Sequence, residues 1–402
     1  MEWQRVPPGR ILTPDDKSLP AWAAGMTAAD FVARGPHLSE LWTPALVLDE
    51  RALLGNAAFL AEWITGRGLE LMPHGKTTMA PQLWRLQLDA GATGLTLATP
   101  WQVRVARSTG IREIMLANQL VDPHALDWLG ADLAAHGGRV WTWIDDEAGL
   151  DALAAAPAAQ PWDVLIELGR PGGRTGVRTV DAARALADRA RATPGVRLAG
   201  VAGYEGAVAH GRSDDALAGA GAFVRDLVTL HELLLPDYDD PSDAIVTAGG
   251  SAFPDIVADI LTDAAARLPG RFVIRSGASL IHDEGYYRSV SPFDGAGLRP
   301  AARAIARVVS APEPGLVLLD AGKRDVAYDL DLPVPIGIAG EITGVNDQHA
   351  FLRTSEHIAV GDRVQLGLSH PCTMLDKWRL IPVVDDLTTH DPVIVGLVET
   401  RF

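Results

Sequence analysis

Short apolar runs alternate with helical stretches eight times between residue 69 and about residue 280, and this limits the fold more than any other feature. The runs cover 69–76, 94–98, 113–117, 139–144, 162–168, 196–204, 244–248 and 271–275. Between them lie Ala-, Leu- and Arg-rich segments such as 81–90, 100–109, 181–193, 214–234 and 255–267. Apolar runs separated by helices read as parallel strands buried on both faces. Eight such units over roughly 210 residues fit a closed ring of strands better than an open sheet. An earlier run, Pro44-Ala-Leu-Val-Leu48, reads as one more strand, with a helix at about 50–66 completing the ring.

Beyond about residue 290 the pattern changes. The runs 305–309, 316–319, 337–344, 363–368 and 387–400 are separated by Pro, Gly and Asp, the spacing of an antiparallel β domain. The predicted fold is therefore an α/β chain: a (β/α)8 barrel over 42–288, and a β domain built from 1–41 plus 289–402.

The net charge of −16 argues against a nucleic-acid partner, which needs a basic surface. The single cysteine, Cys372, excludes an intrachain disulfide. The first ten residues, MEWQRVPPGR, lack the apolar core of a signal peptide, and no run approaches a membrane span. These features predict a cytoplasmic protein.

Lys76 closes an apolar run, at the strand end where barrels place their chemistry. A lysine held partly out of water can act as an amine nucleophile toward an aldehyde. The loops after the last two strands, Thr247-Ala-Gly-Gly-Ser251 and Ser276-Gly-Ala-Ser279, are small and glycine-bearing. Barrels hold phosphate at such loops, with backbone N–H groups donating to it. Thr247, Gly249, Gly250, Ser251, Gly277 and Ser279 are accordingly candidate anion contacts. A phosphate anchor together with an amine points to pyridoxal 5'-phosphate.

Several segments together resemble the D-serine dehydratase / D-threonine aldolase family, whose barrel is of the alanine racemase type. They are Trp42-Thr-Pro-Ala-Leu-Val-Leu-Asp49, Pro73-His-Gly-Lys-Thr77, Gln87-Leu-Asp-Ala-Gly-Ala-Thr-Gly94, Gly203-Tyr-Glu-Gly206, Leu319-Asp-Ala-Gly322 and Ser369-His-Pro-Cys372. Among bacterial members the chain looks similar to amino acid deaminases. The resemblance implies that Lys76 carries pyridoxal phosphate, with His74 in the same turn, Arg174 near the cofactor's phenolic oxygen and Tyr204 beside the ring. It implies that Gly249, Gly250 and Ser251 hold the phosphate, that His370 and Cys372 bind a metal, and that the protein is a homodimer. Two departures matter. Thr78 and Met79 stand where many relatives have His and Lys, which bears on serine as substrate. His-Pro-Cys replaces the His-x-Asp of the aldolases, and the thiolate tilts the expectation toward zinc and toward dehydration.

Alternation along Val364, Leu366 and Leu368, extended by two more steps, predicts His370 and Cys372 side by side on the inward face of one strand. The expected reaction is dehydration and deamination of a β-hydroxy D-amino acid to a 2-oxo acid and ammonia. The alternatives are retro-aldol cleavage to glycine and an aldehyde, a racemase using Tyr286 or Tyr287, and a non-catalytic protein that carries pyridoxal phosphate.

Overall fold

The computed structural model describes residues 3–402. The chain divides into two compact units. One comprises Met1–Leu60, Thr77–Ala90 and Ala278–Phe402; the other comprises Ala61–Lys76 and Gly91–Gly277.

The second unit holds eight parallel strands. They are β2 (Glu70–Leu71), β3 (Leu95–Leu97), β4 (Glu113–Gln119), β5 (Arg139–Ile144), β6 (Trp162–Leu168), β7 (Val196–Gly203), β8 (Ile245–Ala248) and β9 (Arg271–Ile274), paired in the order β2-β9-β8-β7-β6-β5-β4-β3. The two end strands also meet. Thr93 N–H donates to Leu71 O at 2.9 Å, Thr96 N–H donates to Pro73 O at 2.9 Å, and His74 bridges Thr96 in parallel. These bonds close the ring, and all eight strands are those the apolar runs predicted.

Helices follow the strands at 100–108, 123–136, 147–155, 180–191, 214–234 and 254–265. Most carry a side-chain cap. Thr99, Asp122, Asp146, Thr179 and Ser213 each accept the N–H three residues on, satisfying a donor that the first helical turn leaves open. Inside the ring, Met72, Met115, Trp141, Trp143, Leu165 and Val273 pack as one cluster.

The first unit is built on a largely antiparallel sheet. Its strands are β1 (Ala45–Asp49), β10 (Ala302–Glu313), β11 (Leu316–Leu319), β12 (Val334–Ile336), β13 (Gly340–Val345), β14 (Ala350–Thr354), β15 (Arg363–Gly367), β16 (Leu380–Val384) and β17 (Ile394–Glu399). Here the boundaries depart from those expected. β1 pairs antiparallel with β10 and parallel with β16, so it belongs to this sheet and not to the barrel. Its five residues are all buried, a burial that a central strand of either sheet would show. Residues 77–90 and 278–288, read as barrel, also fall in this unit. No helix among the described residues is long and apolar enough to cross a membrane.

Candidate active site

The ends of the parallel strands carry Lys76, Arg174, Tyr204, Ser251 and Gly277 at one mouth of the barrel, the catalytic end of such folds. Lys76 lies in the short turn Gly75–Thr77 that follows β2, with its side chain exposed. It is more open than a lysine half out of water, because the strand stops at Leu71 and the turn lifts residue 76 clear. His74 is anchored by its backbone, its N–H donating to Arg275 O at 3.1 Å. Its Nδ1 is buried with no partner among the described residues. Burial, reinforced by the charges of Lys76, Arg275 and Arg174, holds the His74 imidazole well below its usual value, so the ring is neutral.

Arg174 is exposed and lies 5.1 Å from the Tyr204 ring, a cation–π contact. It makes no ion pair with Glu167, whose carboxylate accepts instead from Gln119 at 2.7 Å and Thr175 at 3.1 Å. Tyr204 packs on glycines. A Cβ at Gly206 would lie 2.5 Å from its ring, and one at Gly250 would lie 2.8 Å away. Glycine at 250 is thus required for the ring's close approach, and Gly249, at φ +104, for its backbone conformation.

The loop expected to hold phosphate differs from expectation in its donors. Gly249 N–H and Gly250 N–H donate to the two carboxylate oxygens of Glu205, at 3.0 and 2.8 Å, and do not face an open cradle. Glu205 is wholly buried, and burial pushes its carboxyl above the usual range against those two bonds. The Thr247 hydroxyl is engaged as well: it donates to Val273 O at 3.0 Å and accepts from Arg275 at 2.7 Å. It braces Arg275 and has no exposure to a ligand. Gly277 gives His74 room, since a Cβ there would lie 2.4 Å from His74 O. Ser251 is buried at the edge of the loop; Ser279 is buried in the turn Ala278–Leu280 of the other unit.

Arg275, which the sequence did not single out, is a cation buried in the barrel, 1% exposed. It donates to Gly203 O at 2.6 Å and lies 4.9 Å from the Trp143 ring. Its Nε has no partner among the described residues, and burial pulls its pKa down to about 10. These groups fit pyridoxal phosphate: an exposed amine, a cationic wall from Arg174 and Arg275, and buried polar atoms at His74 and Arg275 that lack partners.

In the first unit His370 and Cys372 do come together, though not along a strand. β15 ends at Gly367, and Pro371–Thr373 is a single 3-10 turn with Pro371 at its first position. His370 caps that turn at φ 74, in the left-handed region. The expected pairing along one strand is therefore not what brings them together: a turn, not a pleat, juxtaposes them. His370 Nδ1 lies 2.7 Å from the Asp329 carboxylate, which also accepts from the Thr373 hydroxyl at 2.5 Å. Cys372 Sγ lies 3.2 Å from Thr77 Oγ1. A hydrogen bond with Cys372, and then Asp329, lift the imidazole to about 9. A metal must displace that proton.

With Nδ1 held by a carboxylate, Nε2 and the thiolate are left as donors, the carboxylate–histidine arrangement common at metal sites. The imidazole and thiol fit a divalent metal of zinc's softness. No group of three or more His, Cys, Asp or Glu donors assembles among the described residues, so water or substrate would complete the shell.

Two family models match the chain: "Alanine racemase, N-terminal domain" over residues 48–235 and "Putative serine dehydratase domain" over residues 301–384. D-threonine aldolase of Arthrobacter sp is 28% identical over 375 residues, covering 91% of this chain and 92% of the relative. D-threo-3-hydroxyaspartate dehydratase of Delftia sp. (strain HT23) is 26% identical over 366 residues, covering 83% and 92%. Among solved structures, D-threonine aldolase from Filomicrobium marinum has a TM-score of 0.77 at 23% identity, covering 91% of this chain and 97% of its own. The Delftia dehydratase has a TM-score of 0.75 at 22% identity, covering 91% and 99%. That dehydratase has also been solved as a histidine-to-alanine mutant and as a cysteine-to-alanine mutant two positions further on, the latter in the metal-free form. The chain thus has the alanine racemase-like fold, carries the two domains these models describe, and is similar over most of its length to D-threonine aldolase and D-threo-3-hydroxyaspartate dehydratase.

Proposed function

We propose that the protein is a pyridoxal phosphate-dependent lyase that dehydrates and deaminates a β-hydroxy D-amino acid, using a divalent metal held by His370 and Cys372. One observation carries this reading: Cys372 Sγ meets the hydroxyl of Thr77, the residue that directly follows Lys76. The same thiol interacts with a histidine whose Nδ1 is braced by Asp329. The His-x-Cys spacing also matches the pair mutated in the dehydratase relative.

Bound pyridoxal phosphate supplies an electron sink that acidifies the hydrogen on the substrate's α carbon. A divalent metal supplies a Lewis acid for an oxygen that would otherwise leave as hydroxide. Lys76 is the residue to hold the cofactor's aldehyde carbon. With the cofactor and substrate bound, the Lys76 amine would be the group placed to remove the α hydrogen. Arg174, stacked on Tyr204, offers a cation at the mouth for an anionic oxygen. His74, whose burial holds its imidazole well below the usual value, is a weak base and competes poorly for that proton. Loss of the α hydrogen and the β hydroxyl leaves an enamine, which water converts to a 2-oxo acid and ammonia. A homodimer and zinc as the metal belong to the same proposal.

The aldolase relative favours a second reading, in which the β oxygen stays and the Cα–Cβ bond breaks. The products separate the two. Purified protein incubated with D-serine and with D-threonine, with and without a chelator, is expected to release ammonia with pyruvate or 2-oxobutyrate, and to stop when the metal is removed. Glycine and acetaldehyde from D-threonine would replace the dehydratase reading with the aldolase one. Turnover indifferent to the chelator would remove the metal from the mechanism.

A further inference from the structure

His370 is held from two directions. Its ring meets Asp329, which lies 41 residues earlier in the chain. Its backbone N–H donates to Asp283 Oδ2 at 3.0 Å. The other oxygen of Asp283 accepts Gly285 N–H at 3.0 Å and Tyr287 N–H at 2.8 Å, so one buried carboxylate ties the turn 283–287 to residue 370. That turn cannot slide. Gly285 N–H donates to Leu368 O at 3.0 Å, and a Cβ on Gly285 would lie 2.5 Å from Ser369 Cβ.

A histidine at φ 74 is unfavourable on its own, because its Cβ crowds the backbone. It persists where surrounding contacts fix it, and such residues cluster at sites that need a set geometry. Asp329 is exposed enough to turn to solvent, yet both its oxygens point at the His370–Thr373 turn. With the ring neutral, an Nδ1–H donated to Asp329 places the lone pair on Nε2, the only tautomer that leaves Nε2 able to ligate.

We propose that Asp329 and Asp283 are positioning residues for His370, Asp329 fixing the ring tautomer and Asp283 the left-handed backbone, so that the imidazole meets a metal ready-made. The proposal rests on the metal reading above, and two readouts keep them apart. The first is zinc affinity, measured by competition with a chromogenic chelator for wild type, Asp329→Ala, Asp329→Asn and Asp283→Asn, with cofactor absorbance as the check on folding. Loss of an outer carboxylate weakens metal binding by about 10–100-fold. Asp329→Ala should show that loss, and Asp329→Asn should recover part of it, since its amide oxygen still accepts Nδ1–H. The second is the ¹⁵N shift pattern of His370 in metal-free protein at alkaline pH, where the ring is neutral. Wild type should be the Nδ1–H tautomer and Asp329→Ala a mixture. Equal zinc affinity in wild type and Asp329→Ala, or an unchanged tautomer, would overturn the proposal. A wild type that binds no zinc while its tautomer still depends on Asp329 would overturn the metal reading and leave the positioning role standing.

Discussion

Glu205 illustrates what a single side chain decides. A wholly buried carboxyl accepts the N–H groups of two consecutive glycines, and the loop that contains them keeps its shape because those donors are satisfied. Glu205→Ala leaves both unpaired, each at a cost of about 1–3 kcal/mol. The denaturation midpoint should therefore fall by an amount equivalent to about 2 kcal/mol or more. If the loop anchors phosphate, the variant should also lose affinity for pyridoxal phosphate while its weaker binding of unphosphorylated pyridoxal changes little; equal losses would detach the loop from the phosphate. Lys76, His370 and Cys372 stood out as candidates in the sequence because of their residue types and their distinctive local pattern. Glu205, Asp283 and Asp329 were not. One carboxylate in a loop looks like any other until the chain folds, and their partners lie 44, 87 and 41 residues away. Arg275 was hidden differently: it stands one residue past a strand end, where an arginine is ordinarily solvated, and only closure of the ring buries it.

The strand starts at the other mouth of the barrel show how charge completes an element that apolar patterning defines. Arg271, the first residue of β9, pairs with Glu70 of β2 at 2.8 Å. Arg139, the first residue of β5, pairs with Asp243 at 2.7 Å and with Asp163 of β6 at 2.5 Å. Arg197 of β7 also pairs with Asp163. Asp163 is only 4% exposed and holds two guanidiniums together. Asp163→Ala strips both of their shared partner, and breaking a largely buried pair costs about 3–5 kcal/mol. Partial exposure of the two arginines reduces this to about 3 kcal/mol, measurable in urea with cofactor content unchanged. The eight barrel strands were legible because parallel strands buried on both faces read as continuous apolar runs. β1 carries the same signature, and its true partners, β10 and β16, lie more than 250 residues further on, beyond the reach of any local pattern. β12, β14 and β16 were missed in the β domain: β12 is only three residues long, and both it and β16 contain a proline, Pro335 and Pro382, which reads as a breaker although β15 and β17 still pair along them. At His370 the period of two failed because a left-handed residue and a proline end the strand before His370 and Cys372 are reached.

For the molecule as a whole, buried histidines tie stability to pH. Burial depresses His74 and His231 below their usual value; His231 is fully buried, with Nε2 2.8 Å from Pro269 O and Nδ1 3.3 Å from the Tyr238 hydroxyl. In the unfolded chain such groups titrate near pH 6.5. Below that pH the unfolded chain takes up protons that the folded chain refuses, so their stabilisation is complete above about pH 6.5 and is lost as pH falls toward the depressed folded values. His370 acts in the opposite sense in metal-free protein. Raised to about 9, its contribution is complete below about pH 6.5 and is lost as pH rises through 9. Raised carboxyls such as Glu205 and Asp283 also favour the folded state at acid pH, so wild-type stability alone mixes several groups. A difference isolates one of them. His231→Gln keeps a donor for Pro269 O and removes the titration. The unfolding free energy of wild type minus that of the variant should fall by up to about 1 kcal/mol between pH 6.5 and 5.5. A difference that is flat across that unit would mean His231 takes a proton inside the folded chain, and with it that the core around Tyr238 and Pro269 admits a charge its packing argues against.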